Sequence, residues 1–439
     1  MLPSRKSLSQ DRVIIFSRYP VPGRTKTRLI PTFGPVGAAD LHRRLTEKTF
    51  DTVSRFAEQY HIDMEIRFDG GSKRKIQRWL KTRTILSHQG HGDLGERMNT
   101  AFIEAFQRGC RHVILLGTDI PGVTGNHLKN TMEALLEYDL VLGPSTDGGY
   151  WLIGMKNPGD VFQGIDWGTE KVLQQTMTSA RGQDLKVHLL DPLTDVDTVE
   201  DLNRVWPEEN GRSPYISVII PTLNESENIE STIHTARNKD AEIIVVDGGS
   251  TDDTVKRAEA TGVRVERSSC GRALQQNRGA QIARGHVLLF LHADTSLPDS
   301  YANNIFDALM DPEVSFGAFL FKTDMESPLM RVIECAANIR SRYLKLPYGD
   351  QGLFLCKSMF TKIGGFPDVA IAEDLFFARL LGKQGSVCIV PACAITSARR
   401  WRNIGLLRTT IVNYVIAAGC YLGIPPYRLA FLYRIPGKK

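Results

Sequence analysis

Single carboxylates stand where apolar runs end. The stretch "VLLFLHADTSLP" (Val287–Pro298) delivers Asp294, and "VILLGTDIPG" (Val113–Gly122) delivers Asp119. A carboxylate held at the mouth of a buried strand is a fixed hard-oxygen donor, suited to a divalent cation. Asp is also a common turn and cap residue after a strand, so a structural reading stands beside the chemical one. Asp247 ends a third such run, "EIIVVDGG", and Glu373-Asp374 opens the apolar stretch "AEDLFFARLL". A carboxylate beside a substrate hydroxyl can take its proton in a transition state. Elsewhere, "PVPGRTKTRL" crowds Arg24, Lys26 and Arg28 behind the Pro22-Gly23 turn. Such a loop lets backbone N–H groups and cations approach a phosphate, and it equally suits an exposed basic turn. It lacks the Gly-Lys-Ser/Thr of a P-loop. Asp147 precedes two glycines in "GPSTDGGYW". In "LTDVDTVEDL", Asp195, Asp197 and Asp201 are open to metal ligation, although Thr198-x-x-Asp201 reads as a capping box.

The elements that must position these residues follow from hydrophobic patterning. β-Branched runs ("RVIIF", "HVILLGTD", "DLVLGPS", then "ISVIIPT", "EIIVVDG", "HVLLFLHAD") alternate with helix-like segments. That is the pattern of α/β units with mainly parallel central sheets. Asn224 or Ser226 is the expected cap of the helix after "ISVIIPT". Ser250 or Thr251 is the expected cap of the next helix, with Asp252 and Asp253 in its first turn. "DLNRVWPEENGRSP" is polar and rich in turn residues, so it reads as a linker. The expected organisation is a disordered tail at 1–11, a first domain at 12–206, a linker at 207–214, a second domain at 215–401 and amphipathic C-terminal helices at 402–439. Open α/β sheets bind ligands beyond the carboxyl ends of their strands, which puts Asp119 and Asp294 in separate clefts.

Composition narrows the function. A chain of 439 residues exceeds one ordinary core. The net charge of +5 comes without a Lys/Arg block, so no nucleic-acid partner is expected. The 7 cysteines are scattered with no CxxC pair, which reads as reduced thiols in a cytoplasmic protein. The N-terminal stretch has no apolar segment of the signal-peptide kind. "IVNYVIAAGCYLGIPPYRLAFLY" is interrupted by Pro425-Pro426 and flanked by Arg402, Arg408, Arg428 and Arg434. Each half is too short to span a bilayer, so a core or surface-lying helix pair is expected, with peripheral contact at the inner face of the cell membrane.

The second half resembles glycosyltransferase family 2 of the GT-A type, through "PTLNESENI", "VVDGGSTDDT", "NRGAQIARG", "LHADT", "GGFP…AEDLFFARLL" and "RRW" in that order. The resemblance implies a nucleotide-diphospho-sugar transferase fold and an inverting transfer. Thr222, Asn224 and Glu225 would line the nucleotide pocket, with Arg278 among the donor-binding residues, and Asp247 would hold the base or ribose. Asp294 would hold Mg²⁺ or Mn²⁺ at the diphosphate of a nucleoside-diphosphate sugar. Asp374, beside Glu373, would be the general base, and Arg400-Trp401 would sit near diphosphate and acceptor. His292-Ala293-Asp294 departs from the family's Asp-x-Asp: with one carboxylate missing, either metal binding is weaker or His292 is a partner to the metal site. The Gln of the Gln-x-x-Arg-Trp element of processive synthases is missing, so a single sugar transfer is expected. Within the family the chain looks like the short branch linked to arsenosugar and carotenoid-acid (diaponeurosporenoate-type) glycosylation, which implies a small or lipid-like acceptor.

The first half resembles rSAM/selenodomain-associated transferase 1, a family distantly similar to cofactor nucleotidyltransferases. It does so through "PVPGRTKTRL", "GDLGERM", "GTDIPG", "GPSTDGGYWLIG" and "DVDTVEDL". That implies a second GT-A-like domain, with Asp119 at the metal position, Lys26 and Arg28 at phosphate, and Arg24 and Asp147 near the nucleotide. The expectation is therefore a glycosyltransferase with two tandem GT-A-like domains, bifunctional if the first is active. The alternative is a catalytic second domain beside a non-catalytic nucleotide-binding or regulatory first one.

Overall fold

A computed structural model describes residues 10–207 and 215–433. The expected tail at 1–11 and linker at 207–214 fall almost wholly outside the described residues. The chain divides into two compact units, Met1–Gly211 and Arg212–Lys439. Each has an α/β architecture with a mainly parallel central sheet, the class expected from the patterning.

The strands of the first unit are β1 (Asp11–Arg18), β2 (Asp63–Asp69), β3 (Ile85–His88), β4 (His112–Leu116), β5 (Leu140–Pro144), β6 (Tyr150–Met155) and β7 (Val187–Leu189). They lie in the order β3-β2-β1-β4-β6-β5-β7. β6 is antiparallel to both neighbours, and the other pairings are parallel. β1 buries all but its end residues, as an inner parallel strand covered on both faces must. One core packs Ile14, Leu115, Leu142 and Ile153 against Met98, Phe102 and Phe162. The helix Leu94–Gln107 begins where Asp93 and Glu96 cap each other reciprocally.

The second unit contains β8 (Ile216–Thr222), β9 (Ala241–Asp247), β10 (Arg264–Arg267), β11 (Val287–Phe290), β12 (Thr295–Ser296), β13 (Val314–Thr323), β14 (Leu353–Cys356) and β15 (Ser386–Thr396). Their order is β10-β9-β8-β11-β14-β13-β15-β12. β8 is buried along its whole length and pairs in parallel with β9 and β11. The core places Ile219, Val246, Leu288 and Phe290 against Phe316, Phe366 and Phe377. The buried Gln275 amide donates to the carbonyls of Thr222 and Val246, 2.8 Å each, and so clips the ends of β8 and β9 together.

Two helix starts differ from the sequence reading. The helix after β8 runs Ile229–Ala236, well past Asn224 and Ser226. Asn224 instead adopts a left-handed backbone (φ 55) inside the turn, a conformation Asn tolerates better than most residues. Its Oδ1 accepts the Thr251 N–H at 2.8 Å, and its own N–H donates to Ser250 Oγ at 2.9 Å. The next helix starts at Thr254, so Ser250 and Thr251 do not cap it and Asp252 lies before it. Asp252 accepts the N–H groups of Thr254 and Ser226. The polar residues are spent on joining two loops, a use that local capping patterns do not reveal. By contrast, Thr198 and Asp201 do form the expected capping box.

Candidate functional site

In the first unit, β4 ends at Leu116 and Asp119 follows three residues on, in the turn beyond the sheet. Its carbonyl accepts the Val196 N–H at 3.0 Å, while Thr146 N–H binds Leu193 O and Leu193 N–H binds Pro144 O. The loop through Asp195 and Asp197 is thereby laced to the ends of β4 and β5. Together with the basic loop it encloses a cleft of about 520 Å³ lined by Arg24, Lys26, Arg28, His42, Asp119, Asp147, Tyr150, Asp195 and Asp197. The structure thus brings Arg24, Lys26, Arg28, Asp119, Asp147, Asp195 and Asp197 into one cleft, while Asp201 stays outside it in the capping box with Thr198.

Lys26 is its centre. Its Nζ lies 2.9 Å from Asp119 Oδ1, 3.0 Å from Asp197 Oδ1 and 2.6 Å from the Val196 carbonyl. Burial alone would lower the Lys26 pKa, but Asp119 and Asp197 outweigh it and hold it above the ordinary lysine value. Asp119 mirrors this: burial opposes its ionisation, but Lys26 and His42 hold it well below the usual carboxylate range. Its Oδ1 is shut off from solvent, whereas the side chain as a whole is about half exposed, at 48%. Arg28 reaches Asp197 from the solvent side at 3.2 Å, and Arg24 is exposed at the rim. Asp147 accepts the Gly149 N–H at 3.0 Å and the Ser145 hydroxyl. Asp195 is pushed up to about 6 by burial and by Asp147 and Asp197. His42 is a residue that sequence reasoning missed. It lies buried on the helix Ile30–Tyr60, with Nε2 3.0 Å from Arg18 O and Nδ1 3.7 Å from Asp119.

In the second unit, Asp294 lies in the turn between β11 and β12, and its carbonyl accepts the Ser397 N–H at 2.9 Å. Burial and the negative charge of Glu225 raise its pKa. Glu225 accepts Arg399 Nη2 at 2.6 Å and Asn228 Nδ2 at 2.9 Å. Arg399, not named from the sequence, is thus the arginine of "SARRW" that reaches the carboxylates. Its neighbour Arg400 is half-buried on the same short helix, Arg399–Ile404. Trp401 is packed into an apolar cluster with Phe321, Met330, Ala337 and Ala398. Thr222 and Asp247 are buried at the ends of β8 and β9. Asp247 accepts the N–H groups of Gly249 and Ser250, which fixes the Gly-Gly turn. Arg278 is bound by Glu266 on β10, at 2.6 Å, and by Gln281.

Glu373 and Asp374 open the helix Glu373–Gly382, where its dipole favours negative charge. Asp374 accepts the N–H of Gly349 at 2.7 Å and of Leu375 at 2.8 Å. Glu373 is buried 3.7 Å from Arg272, and burial and Asp374 raise its pKa. Gly349 must be glycine: a Cβ there would stand 2.7 Å from His292 Nε2 and 3.3 Å from Asp374 Oδ2. Burial and then Arg272 push His292 down to about 3, so its ring is neutral at ordinary pH.

The turn Gly349–Gln351 contributes a further carboxylate that the sequence reading missed. Asp350 Oδ1 is buried without a hydrogen-bond partner. Burial pushes Asp350 up to about 6; Arg340 opposes the shift, while Asp374 and Asp294 add to it. No apolar period leads up to "YGDQG", and the only sequence signal was an acidic residue between two glycines.

Among the described residues no group of three or more His, Cys, Asp or Glu side chains is arranged to hold a metal ion. The donors at Asp294 nevertheless fit one. Hard carboxylate oxygens repel each other there, and a divalent cation would relieve that repulsion. Mg²⁺ and Mn²⁺ suit these oxygens equally. When bound, such an ion would neutralise charge on a leaving diphosphate.

Two family models match the chain. Residues 52–169 match a family described as uncharacterized protein conserved in bacteria (DUF2064), and residues 217–366 match glycosyl transferase family 2. The chain is thus a tandem of a DUF2064 domain and a glycosyl transferase family 2 domain. Among curated proteins it is 38% identical over 95 residues to the PGL/p-HBAD biosynthesis glycosyltransferase of Mycobacterium tuberculosis (strain ATCC 25177 / H37Ra), covering 19% of this chain and 37% of that protein. It is 35% identical over 95 residues to glycosyltransferase AglE of Haloferax volcanii, covering 19% of this chain and 31% of that one. The match therefore spans about a third of each relative. A crystal structure named for a nucleotide-diphospho-sugar transferase, from Desulfovibrio desulfuricans G20, is 36% identical, covering 47% of this chain and 90% of that chain, with a TM-score of 0.43.

Proposed function

We propose that the chain is a family 2 glycosyltransferase. Its second unit moves a sugar, with inversion, from a nucleoside-diphosphate sugar to a small or lipid-like acceptor. Asp374 takes the acceptor proton, with Glu373 beside it. Asp294 holds Mg²⁺ or Mn²⁺ at the diphosphate. Thr222, Asn224, Glu225 and Asp247 receive the nucleotide, and Arg399 and Arg400 face its charge. The observation that carries this reading is the gathering of Asp294, Asp350, Glu373 and Asp374, with Arg272 and Arg399, around one end of one sheet. Several carboxylates packed together raise one another's pKa, as sites that handle protons and cations do.

The first unit binds a nucleotide by the same plan, with Asp119 at its metal and Lys26 and Arg28 at its phosphates. Its cleft holds both signs of charge, as a site for a metal–phosphate pair should. A non-catalytic, nucleotide-binding first unit is favoured by one observation: the Lys26 ammonium already forms ion pairs with Asp119 and Asp197.

A lipid-like acceptor finds support beside the proposed base. Leu375, next to Asp374, packs with Ile416, Cys420 and Leu429 of the C-terminal helices. The outer face of those helices exposes Leu407, Ile411 and Val415. No described helix is long and apolar enough to cross a membrane, so contact with a lipid surface would be peripheral.

A donor screen tests the proposal. The protein is incubated with UDP-, GDP- and dTDP-sugars and Mn²⁺, beside Asp294→Ala and Asp374→Ala. Release of one nucleoside diphosphate that is lost in both variants is the expected result. Release that survives both substitutions would sink the site assignment. If no donor reacts, thermal-shift binding of the same nucleotides decides: absence of binding would end the glycosyltransferase reading.

A further inference from the structure

The basic loop of the first unit ends in an arrangement that phosphate binding alone does not explain. The Lys26 ammonium has three N–H donors and faces three oxygens: Asp119 Oδ1 at 2.9 Å, Asp197 Oδ1 at 3.0 Å and the Val196 carbonyl at 2.6 Å. Only 6% of its side chain is exposed. A lysine so engaged is turned toward these oxygens: its hydrogen bonds go to Asp197 Oδ1 and the Val196 carbonyl, and Asp119 Oδ1 is held as an ion pair. Two carboxylates and a carbonyl are also the hard-oxygen set that Mg²⁺ or Mn²⁺ takes. An ammonium and a divalent ion cannot share that seat, because at contact distance in a shielded cleft their repulsion is large.

We propose that Lys26 is a displaceable internal cation. It fills the seat formed by Asp119, Asp197 and the Val196 carbonyl, and a divalent metal ion enters by expelling the ammonium into the cleft, where it becomes available to phosphate. The inference rests on the reading of Asp119 as the metal position. The seat is built to outlast the exchange. Arg28 binds the other oxygen of Asp197 at 3.2 Å. The carbonyl of Asp119 is tied to Val196 N–H at 3.0 Å. Lys26 itself sits in a left-handed conformation (φ 48) at the head of a short 3-10 turn that is anchored by the buried Leu29. Metal loading and phosphate contact would then be one event: without metal the lysine is withdrawn, and with metal both cations are presented.

The test uses the full chain with Asp294→Asn, which removes the proposed metal ligand of the second unit, and Mn²⁺ alone as probe. Free Mn²⁺ is followed by electron paramagnetic resonance. Lys26→Met should tighten Mn²⁺ binding by at least about tenfold, since the competing cation is gone. Adding Asp119→Asn should abolish the gain. Unchanged or weaker binding in a folded Lys26→Met chain would overturn the proposal. A second measurement needs no change at Lys26. Amine acetylation read by mass spectrometry should find Lys26 protected without Mn²⁺ and reactive at saturating Mn²⁺. If Mn²⁺ binds through Asp119 while Lys26 stays protected, the exchange is wrong and the metal reading of Asp119 survives. If no variant binds Mn²⁺ through Asp119, that reading fails and takes the exchange with it.

Discussion

Asp350 gives a residue-scale prediction that separates chemistry from architecture. A buried carboxylate whose pKa is raised to about 6 is held against its preference for ionisation at neutral pH. The sign follows from proton linkage. The folded state binds the proton more tightly than the unfolded state. The group is therefore neutral in its effect below its unfolded value near 4, and it destabilises increasingly as pH rises to about 6 and by a constant amount above that. Asp350→Asn should thus raise stability at pH 8 by on the order of 1 kcal/mol, with the gain fading toward pH 4. It should also reduce donor turnover at least about tenfold, if the carboxylate serves the site it faces. Urea melts at the two pH values, beside the donor assay, check both halves. A residue kept for packing would instead lose stability at both pH values. Asp294 and Asp374 could be marked from the sequence because apolar runs point to them. Asp350 and Arg399 could not. One sits in a polar turn, and the other reaches Glu225 across 174 residues of chain, a contact that no local pattern encodes.

The elements were legible where burial is continuous. β8 follows "ISVIIPT" residue for residue, because a strand covered on both faces must be apolar throughout. Within the same kind of strand the first unit hides charge. Arg12 on β1 and Glu65 and Arg67 on β2 are all at most 1% exposed. Glu65 takes Arg12 Nη1 at 3.1 Å and Arg67 Nε at 2.9 Å, and Arg67 goes on to Glu104 at 2.7 Å. The charges in "DMEIRFD" could not be paired from the sequence, since Arg12 lies on the neighbouring strand and Glu104 on a helix. Removing one member of such a group leaves uncompensated buried charge. Glu65→Ala should therefore cost about 3–5 kcal/mol. Calorimetry on the full chain should show the transition of the first unit falling while that of the second holds. An unchanged first transition would mean water already shares the charge. Trp401 makes the complementary case. It packs on Phe321 at 6.0 Å between ring centroids, so Trp401→Ala should lower the second transition by about 3 kcal/mol.

At the scale of the whole molecule, each unit carries its own core and its own cluster of carboxylates. What neither core accounts for is the outer face of the helix Leu406–Tyr421. Its inner side packs on Leu375, while Leu407, Ile411 and Val415 recur at helical spacing on the outside and are 65%, 59% and 48% exposed. An apolar stripe in water calls for a cover. Tyr421, Leu422 and Tyr427 extend the exposed surface, and Arg408 and Arg428 bring positive charge to the same segment. That combination suits an anionic lipid surface, where apolar burial and charge attraction act together. The full chain should sediment with vesicles containing phosphatidylserine and bind weakly to neutral ones. Half a mole per litre of added salt, about 0.5 M, should release much of it. Leu407→Ser with Ile411→Ser should weaken binding by about tenfold, from partial burial of two apolar side chains. Both positions point away from the core, so the melting transition should hardly move. Vesicle binding that ignores both substitutions would assign the stripe to a protein partner. Donor hydrolysis should persist in the doubly substituted chain, because the proposed sugar-nucleotide site lies at the strand ends and does not depend on this face.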